Sequence, residues 1–307
     1  MKILITGGTG FIGSHLANYL CKNNDVTICD NNFRGKNDNF VEDLNYIECD
    51  LTKEKDYDKL DNYDYVYHFA AINGTSNFYE IPYEVLEVNT LININLIKWC
   101  KKTKVKKVLY TSSSEVYAST KEKEIPTKED VVVSIDDVYN PRWSYAGSKI
   151  FGELLFINSG INFSIVRPHN VYGPRMGYNH VIPEVIKRVL LKETPFKIYG
   201  ADQTRSFCYI DDAVTMLDLI MNSSLSDGRI INLGVADEIV IKDLIYKIFS
   251  IFEYDPQINI LKSKEGSVNR RCPNIDLLTD ITNITKFTSI DEGLKKTCEW
   301  YKNDALL

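Results

Sequence analysis

The chain starts with an apolar run, Lys2 to Ile5, and passes at once into Thr6-Gly7-Gly8-Thr9-Gly10-Phe11-Ile12-Gly13. Glycine loses more conformational freedom on folding than any other residue, so four of them in eight positions mark backbone that something must approach closely. A segment of helical character, Ser14 to Asn24, follows directly. Strand, glycine turn and helix N-terminus together form an anion cradle, because unpaired amides and the helix dipole both face the turn.

The rest of the first half repeats this alternation. Apolar runs at 2–6, 25–29, 44–48, 64–69, 106–112 and 162–167 read as strands, and 12–23, 82–102 and 144–158 read as helices. Strands alternating with helices predict βαβ units, a parallel sheet covered on both faces, and hence a doubly wound α/β (Rossmann) fold. With 307 residues and 44% apolar content, the chain can bury one large core plus a smaller appended lobe. The expected division is a dinucleotide-binding domain over 1–167 and a mainly substrate-binding lobe over 168–307, with some segments of the latter returning to the sheet. Lys/Glu-rich stretches such as 119–130 read as solvated loop.

In that architecture Gly7, Gly10 and Gly13 serve the tight turn, the close approach of a pyrophosphate and close helix packing, while Phe11, Ile12 and Gly13 open the helix whose amides face the phosphate. Asp30 ends the second strand 17 residues beyond Gly13. An acid there accepts hydrogen bonds from the adenosine ribose diol and repels a 2′-phosphate, which favours NAD over NADP. Arg34 is the nearby cation that a 2′-phosphate would use.

The TGxxGxxG spacing resembles the short-chain dehydrogenase/reductase superfamily, and the whole chain is similar to its extended branch, the NAD-dependent nucleotide-sugar epimerases, dehydratases and decarboxylases. The resemblance implies that Asp50 and Leu51 neighbour the adenine and that the loop His68 to Ala71, with Ala70 and Ala71, lines the cofactor.

A second constellation, Arg142-Trp143-Ser144-Tyr145-Ala146-Gly147-Ser148-Lys149, puts Tyr145 and Lys149 one turn apart on one helix face. An ammonium beside a phenol favours the phenolate, so Tyr145 is expected to have a lowered pKa and to act as a general base. The pair follows Thr111-Ser112-Ser113-Ser114-Glu115-Val116-Tyr117 by about 30 residues, the order found in the superfamily. By that resemblance Ser113 bonds the reacting sugar oxygen, and Lys149 also holds the nicotinamide ribose.

The resemblance further implies oxidation of a sugar carbon, most often C4, to a transient 4-ketosugar. Net C4 epimerisation is the expected outcome, since it needs only Ser113, Tyr145, Lys149, NAD and a pocket in which the ketosugar can turn. Decarboxylation of a UDP-glucuronate-type substrate is second, because Ser114-Glu115 and Arg271 suit a carboxylate lost from a 4-ketouronate. Dehydration or simple 4-dehydrogenation ranks third: Glu115 is a possible C5 base, but the Asp that group places before it is replaced by Ser114. Ala118 departs from the usual glycine after Val-Tyr. A protein that keeps the fold but only senses NAD is the non-enzymatic alternative, disfavoured by the presence of all three catalytic side chains.

The segment Arg167 to Arg175 matches the family's R-P-x-N-x-Y-G-P, which implies that Pro168 flanks the nicotinamide and Asn170 contacts the substrate diphosphate. Arg205 and Arg271 suit bidentate phosphate contact, and His180 is a candidate for the sugar pocket. A nucleoside-diphosphate sugar is therefore the expected partner, and a homodimer through the helices at 82–102 and 144–158 the expected assembly.

A net charge of -6 and a pI near 5.4 give no footprint for nucleic acid or an anionic membrane. No run approaches the ~18 apolar residues of a membrane span. Seven scattered cysteines without a CxxC pair suggest reduced thiols and a cytoplasmic protein, and four histidines without ligand spacing argue against a metal site.

Overall fold

The computed structural model describes residues 1–35, 44–263 and 268–304. Its first half alternates as the periodicity predicts: β1 (Lys2–Thr6), α1 (Phe11–Leu20), β2 (Asp25–Asp30), β3 (Asn45–Glu48), β4 (Tyr65–His68), α2 (Thr75–Glu80), α3 (Pro82–Thr103), β5 (Lys107–Thr111), α4 (Trp143–Ile157) and β6 (Phe163–Pro168). The second half is built of shorter pieces. These are β7 (Val171–Tyr172), α5 (Val181–Leu190), β8 (Phe196–Tyr199), β9 (Thr204–Ser206), β10 (Cys208–Tyr209), α6 (Ile210–Asn222), β11 (Ile230–Leu233), β12 (Glu238–Val240), α7 (Ile241–Ile251), β13 (Ile258–Leu261), β14 (Arg270–Arg271), α8 (Asp276–Thr282) and α9 (Ile290–Asn303).

Seven strands form one parallel sheet in the order β11-β6-β5-β4-β1-β2-β3. Strand β11 joins from the second half and pairs with β6, Ile231 opposite Val166. Both faces are buried, and side-chain alternation sorts the residues between them. Ile3, Ile5, Ile28, Tyr67, Leu109 and Val166 pack against α1 and α6. Leu4, Cys29, Val66, Val108, Tyr110 and Ile165 face the opposite way, against Leu96 and Trp99 of α3 and Phe156 of α4.

The strand order reverses at β1, which has β2 on one side and β4 on the other. Ligands of open α/β sheets bind at such a switch point, beyond the C-terminal strand ends. A cavity of about 1480 Å3 opens there, larger than the ~300–1,000 Å3 that a single drug-sized ligand requires.

The 119–130 stretch is not simply solvated. Thr127 is buried and its backbone pairs with Cys272 and Asn274, while the Glu129 carboxylate accepts from the Asn232 amide. Charge density along the sequence hid these long-range partners. All seven cysteines are free thiols, and no described helix is long and apolar enough to cross a membrane.

Candidate active site

The glycine turn forms one end of the cavity. Gly7 has φ +70°, and a Cβ on it would lie 2.7 Å from the Ala70 amide nitrogen. A Cβ on Gly13 would lie 2.3 Å from the Gly7 carbonyl oxygen, so the turn and α1 close on each other only without side chains. Helix α1 starts on Gly10 with no capping side chain and no acid in its first turn, leaving its amides and dipole directed at the cavity. Asp30 ends β2 beside the turn. Its carboxylate accepts from the Thr9 amide at 3.2 Å and the Asn32 amide at 2.9 Å.

Asp50, Leu51, Ala70 and Ala71 line the same end with Phe11 and Ile12. His68, the first residue of the loop expected to line the cofactor, instead lies beneath it. Its ring is buried between the Thr6 hydroxyl (2.6 Å) and the Asn93 side chain (2.9 Å), and burial lowers its pKa to about 3, so it is a neutral structural imidazole. Thr6 in turn accepts from the Ala70 amide at 3.3 Å, which ties the loop after β4 to β1.

The reacting end combines the termini of β5 and β6 with α4. Tyr145 stacks on Phe78, ring centroids 4.7 Å apart, and its hydroxyl is hydrogen-bonded to the Ser113 side chain. Ser113 also caps the turn 114–117 by accepting from the Glu115 amide at 3.1 Å. Lys149 Nζ donates to the Thr111 carbonyl at 2.7 Å and sits 5.6 Å from the Tyr145 ring centroid.

Two expectations about charge are corrected. The Tyr145 phenol stands above its ordinary pKa, because burial outweighs the Ser113 hydrogen bond and Lys149 approaches the ring face rather than the hydroxyl. Lys149 is itself pushed down to about 7 by burial, against the opposing pull of Glu153.

Glu115 is held by two guanidinium groups, Arg271 to Oε1 at 2.5 Å and Arg142 to Oε2 at 2.8 Å. Burial alone would raise its carboxyl, but Arg271 and Arg142 prevail and hold it at about 2. Arg271 spends one nitrogen on Glu115; its buried second terminal nitrogen has no hydrogen-bond partner.

The other residues expected on the substrate side divide. Ser114, Pro168, Asn170 and His180 line the cavity. Asn170 is anchored by donating to the Ser206 carbonyl at 2.9 Å. His180 precedes α5, and burial, helped by Arg34, lowers its pKa to about 4. Arg205 does not line the cavity. Its guanidinium donates to the carbonyls of Thr204, Val268 and Asn269, where it holds neighbouring loop backbone.

Arg142, Glu153, Arg167, Tyr117 and Asn232 also support the site, and the sequence reading gave none of them a role there. Arg142 lies three positions before Tyr145. Glu153 continues the face of α4 one turn beyond Lys149 and forms a buried bidentate pair with Arg167, 2.8 and 2.6 Å, while accepting from Ser112 at 2.5 Å. Arg167 also donates to the Tyr117 hydroxyl at 2.6 Å, and Tyr117 donates to Asn232 at 2.9 Å. The i, i+4, i+8 spacing of Tyr145, Lys149 and Glu153 was the available signal for Glu153; Asn232 had none. Among the described residues no cluster of three or more His, Cys, Asp or Glu could hold a metal ion.

The model of the NAD dependent epimerase/dehydratase family matches residues 3–234, and the chain belongs to that family of NAD-dependent enzymes acting on nucleotide sugars. It is 33% identical, over 98% of both chains, to the UDP-N-acetyl-alpha-D-glucosaminuronate decarboxylase of Bacillus cytotoxicus. Its fold matches the UDP-glucose 4-epimerase of Thermotoga maritima, solved with UDP-glucose, with a TM-score of 0.90 at 25% identity over 98% of this chain and 99% of that one. It also matches the UDP-N-acetylglucosamine 4-epimerase of Methanobrevibacter ruminantium, in complex with UDP-N-acetylmuramic acid, with a TM-score of 0.88 at 30% identity over 98% of each. The open-ended glycine turn, the uncapped α1 and Asp30 fit the family's cofactor, NAD.

Proposed function

We propose that the protein decarboxylates a nucleoside-diphosphate hexuronate through a 4-keto intermediate. The observation that carries this reading is Arg271, which bonds Glu115 with one nitrogen and keeps another buried and unpartnered in the wall of the cavity that Ser113, Ser114 and Tyr145 also line. A buried guanidinium nitrogen without a partner is costly, and an anionic oxygen in the cavity would satisfy it. A uronate carboxylate is one anionic group that would satisfy it, and a substrate diphosphate oxygen is another. The similarity to the B. cytotoxicus decarboxylase supports the same reading.

Tyr145, in its ionised form, takes the proton from the sugar O4 hydroxyl while Ser113 bonds that oxygen. Bound NAD supplies the acceptor for the hydride leaving C4. With a ketone at C4, the C5–carboxylate bond breaks, carbon dioxide departs, and the electron pair moves onto the C4 oxygen. The Tyr145 hydroxyl and Ser113 stabilise the resulting enolate, which takes a proton from water at C5; the hydride then returns to C4 as Tyr145 gives its proton back to O4, leaving a pentose and the cofactor as it began. Lys149 would hold the nicotinamide ribose, and the Ser113 hydrogen bond lowers the cost of ionising Tyr145.

Net C4 epimerisation, the outcome preferred on sequence, is the second reading and is supported by the similarity to solved 4-epimerases. In that reading the free nitrogen on Arg271 serves the substrate diphosphate instead of a carboxylate. To separate the two, purified protein is incubated with UDP-glucuronate, UDP-N-acetylglucosaminuronate, UDP-glucose and UDP-N-acetylglucosamine, and products are identified by mass and NMR. Carbon dioxide loss from a uronate is the expected result; an isomer of unchanged mass from a neutral sugar, with uronates untouched, would replace this reading with epimerisation.

Assembly as a homodimer is supported by the surface of α3 and α4. Tyr83, Leu86, Phe151, Leu154 and Ile157 are all exposed there, and apolar side chains gathered on two neighbouring helices are what a protein–protein interface would cover.

A further inference from the structure

Arg34 lies in the loop after β2, one residue before Gly35. A Cβ on Gly35 would fall 1.7 Å from the Thr9 hydroxyl and 3.0 Å from the Thr9 carbonyl carbon, so this loop folds down onto the middle of the glycine turn. From there the Arg34 side chain crosses the mouth of the cavity. Its guanidinium donates to the Asn73 carbonyl in the loop after β4, and it lies 3.6 Å from the Cβ position of Gly74, whose φ is +116°. The Tyr145 phenol and the His180 imidazole are both within its electrostatic reach.

The charge budget of this end of the cavity singles the residue out. Among the described lining residues the cations are Arg34, Lys149, Arg175 and Arg271, of which Arg175 lies near His15 of α1 and Arg271 is engaged with Glu115. Lys149 is turned inward to the Thr111 carbonyl. A dinucleotide brings two negative charges into the groove between the glycine turn and the loop after β4. The α1 amides meet them from one side, and Arg34 is the cation standing across that groove from the helix N-terminus.

The geometry points to Arg34 as a strap that closes over bound NAD and contacts its pyrophosphate, exchanging the Asn73 carbonyl for phosphate oxygens. This differs from the 2′-phosphate role its position in the sequence suggests, because the side chain crosses to Asn73 instead of staying beside Asp30. The diphosphate of a nucleotide sugar shares this chemistry, but Arg271, in the cavity wall beside Glu115, is the cation available to it. The assignment holds whichever sugar reaction follows.

The test uses the full-length protein stripped of nucleotide, with calorimetric titration of NAD, NADP, ADP, adenosine and UDP into wild type, Arg34→Ala and Arg34→Lys. Because a charge-assisted hydrogen bond is lost, Arg34→Ala is expected to weaken NAD and ADP on the order of tenfold or more, with adenosine and UDP unchanged and Arg34→Lys intermediate. Release of NADH, followed by its fluorescence, is expected to quicken in parallel. Weakened NADP with NAD unchanged would make Arg34 a reader of the 2′-phosphate, and weakened UDP with NAD unchanged would move it to the substrate. Equal loss of adenosine, or no change in any ligand, would leave it a mere tether for the loop after β4. Each of those outcomes overturns the assignment.

Discussion

At the scale of single residues, the site is a contest between burial and specific partners. Tyr145 is pushed away from the phenolate by burial, and its hydroxyl meets Ser113 where the sugar oxygen is proposed to lie. Tyr145→Phe removes the proton acceptor but keeps the ring stacked on Phe78. We expect turnover to fall ~10²–10⁴-fold with bound NAD retained, measured by initial rates and nucleotide content of the purified variant. Glu115 makes the opposite case, because its folded pKa of about 2 lies below the ordinary 4.5. A depressed carboxylate contributes stability that is present above the ordinary value and is lost as pH falls toward the folded one. Wild type is therefore expected to lose stability between about pH 4.5 and pH 2. Glu115→Gln strands two guanidinium groups, so it should be less stable near neutrality, and its deficit should shrink across that acid range; urea midpoints at several pH values check both.

Among secondary-structure elements, α3 and α4 carry two duties. Their inner faces complete the core over β5, where Gly152 admits the Tyr110 hydroxyl: a Cβ there would lie 2.0 Å from it. Their outer faces present Phe151, Leu154 and Ile157 on one helix and Tyr83 and Leu86 on the other. If two copies bury this surface, a charge at its centre costs the unpaired burial of an ion. Leu154→Glu is expected to yield a folded monomer where wild type is a dimer, with sedimentation velocity as the measurement and circular dichroism as the check on folding. Both proteins sedimenting alike would remove the interface from α4.

For the molecule as a whole, the cavity proposed to hold NAD is lined from the ends of β1, β2, β4, β5 and β6, so its occupancy would couple distant segments. A ligand that binds only the folded state stabilises it by about 2.7 kcal/mol at a hundred times its Kd. NAD is expected to raise the melting temperature more than NADP at equal concentration, because Asp30 repels a 2′-phosphate, and Asp30→Ala should narrow the gap. Thermal melts with each nucleotide test this. Equal shifts in wild type would place cofactor choice elsewhere.

What the sequence determined by itself was local. The glycine turn, the six strands and three long helices of the first half, and the one-face pairing of Tyr145 with Lys149 all follow from steric limits and from periods of two and 3.6 residues, which neighbours along the chain impose. The tertiary structure decided what those neighbours cannot. It brought Arg271 156 residues along the chain to Glu115, placed β11 beside β6, pinned 127–129 under the site, turned Arg205 to loop carbonyls and sent Arg34 across the cleft. It also pushed both Tyr145 and Lys149 toward their neutral forms by burial, because a pKa answers to desolvation and to partners in space. Those partners meet only after the sheet has closed and the chain beyond Pro168 has folded back onto its strand ends.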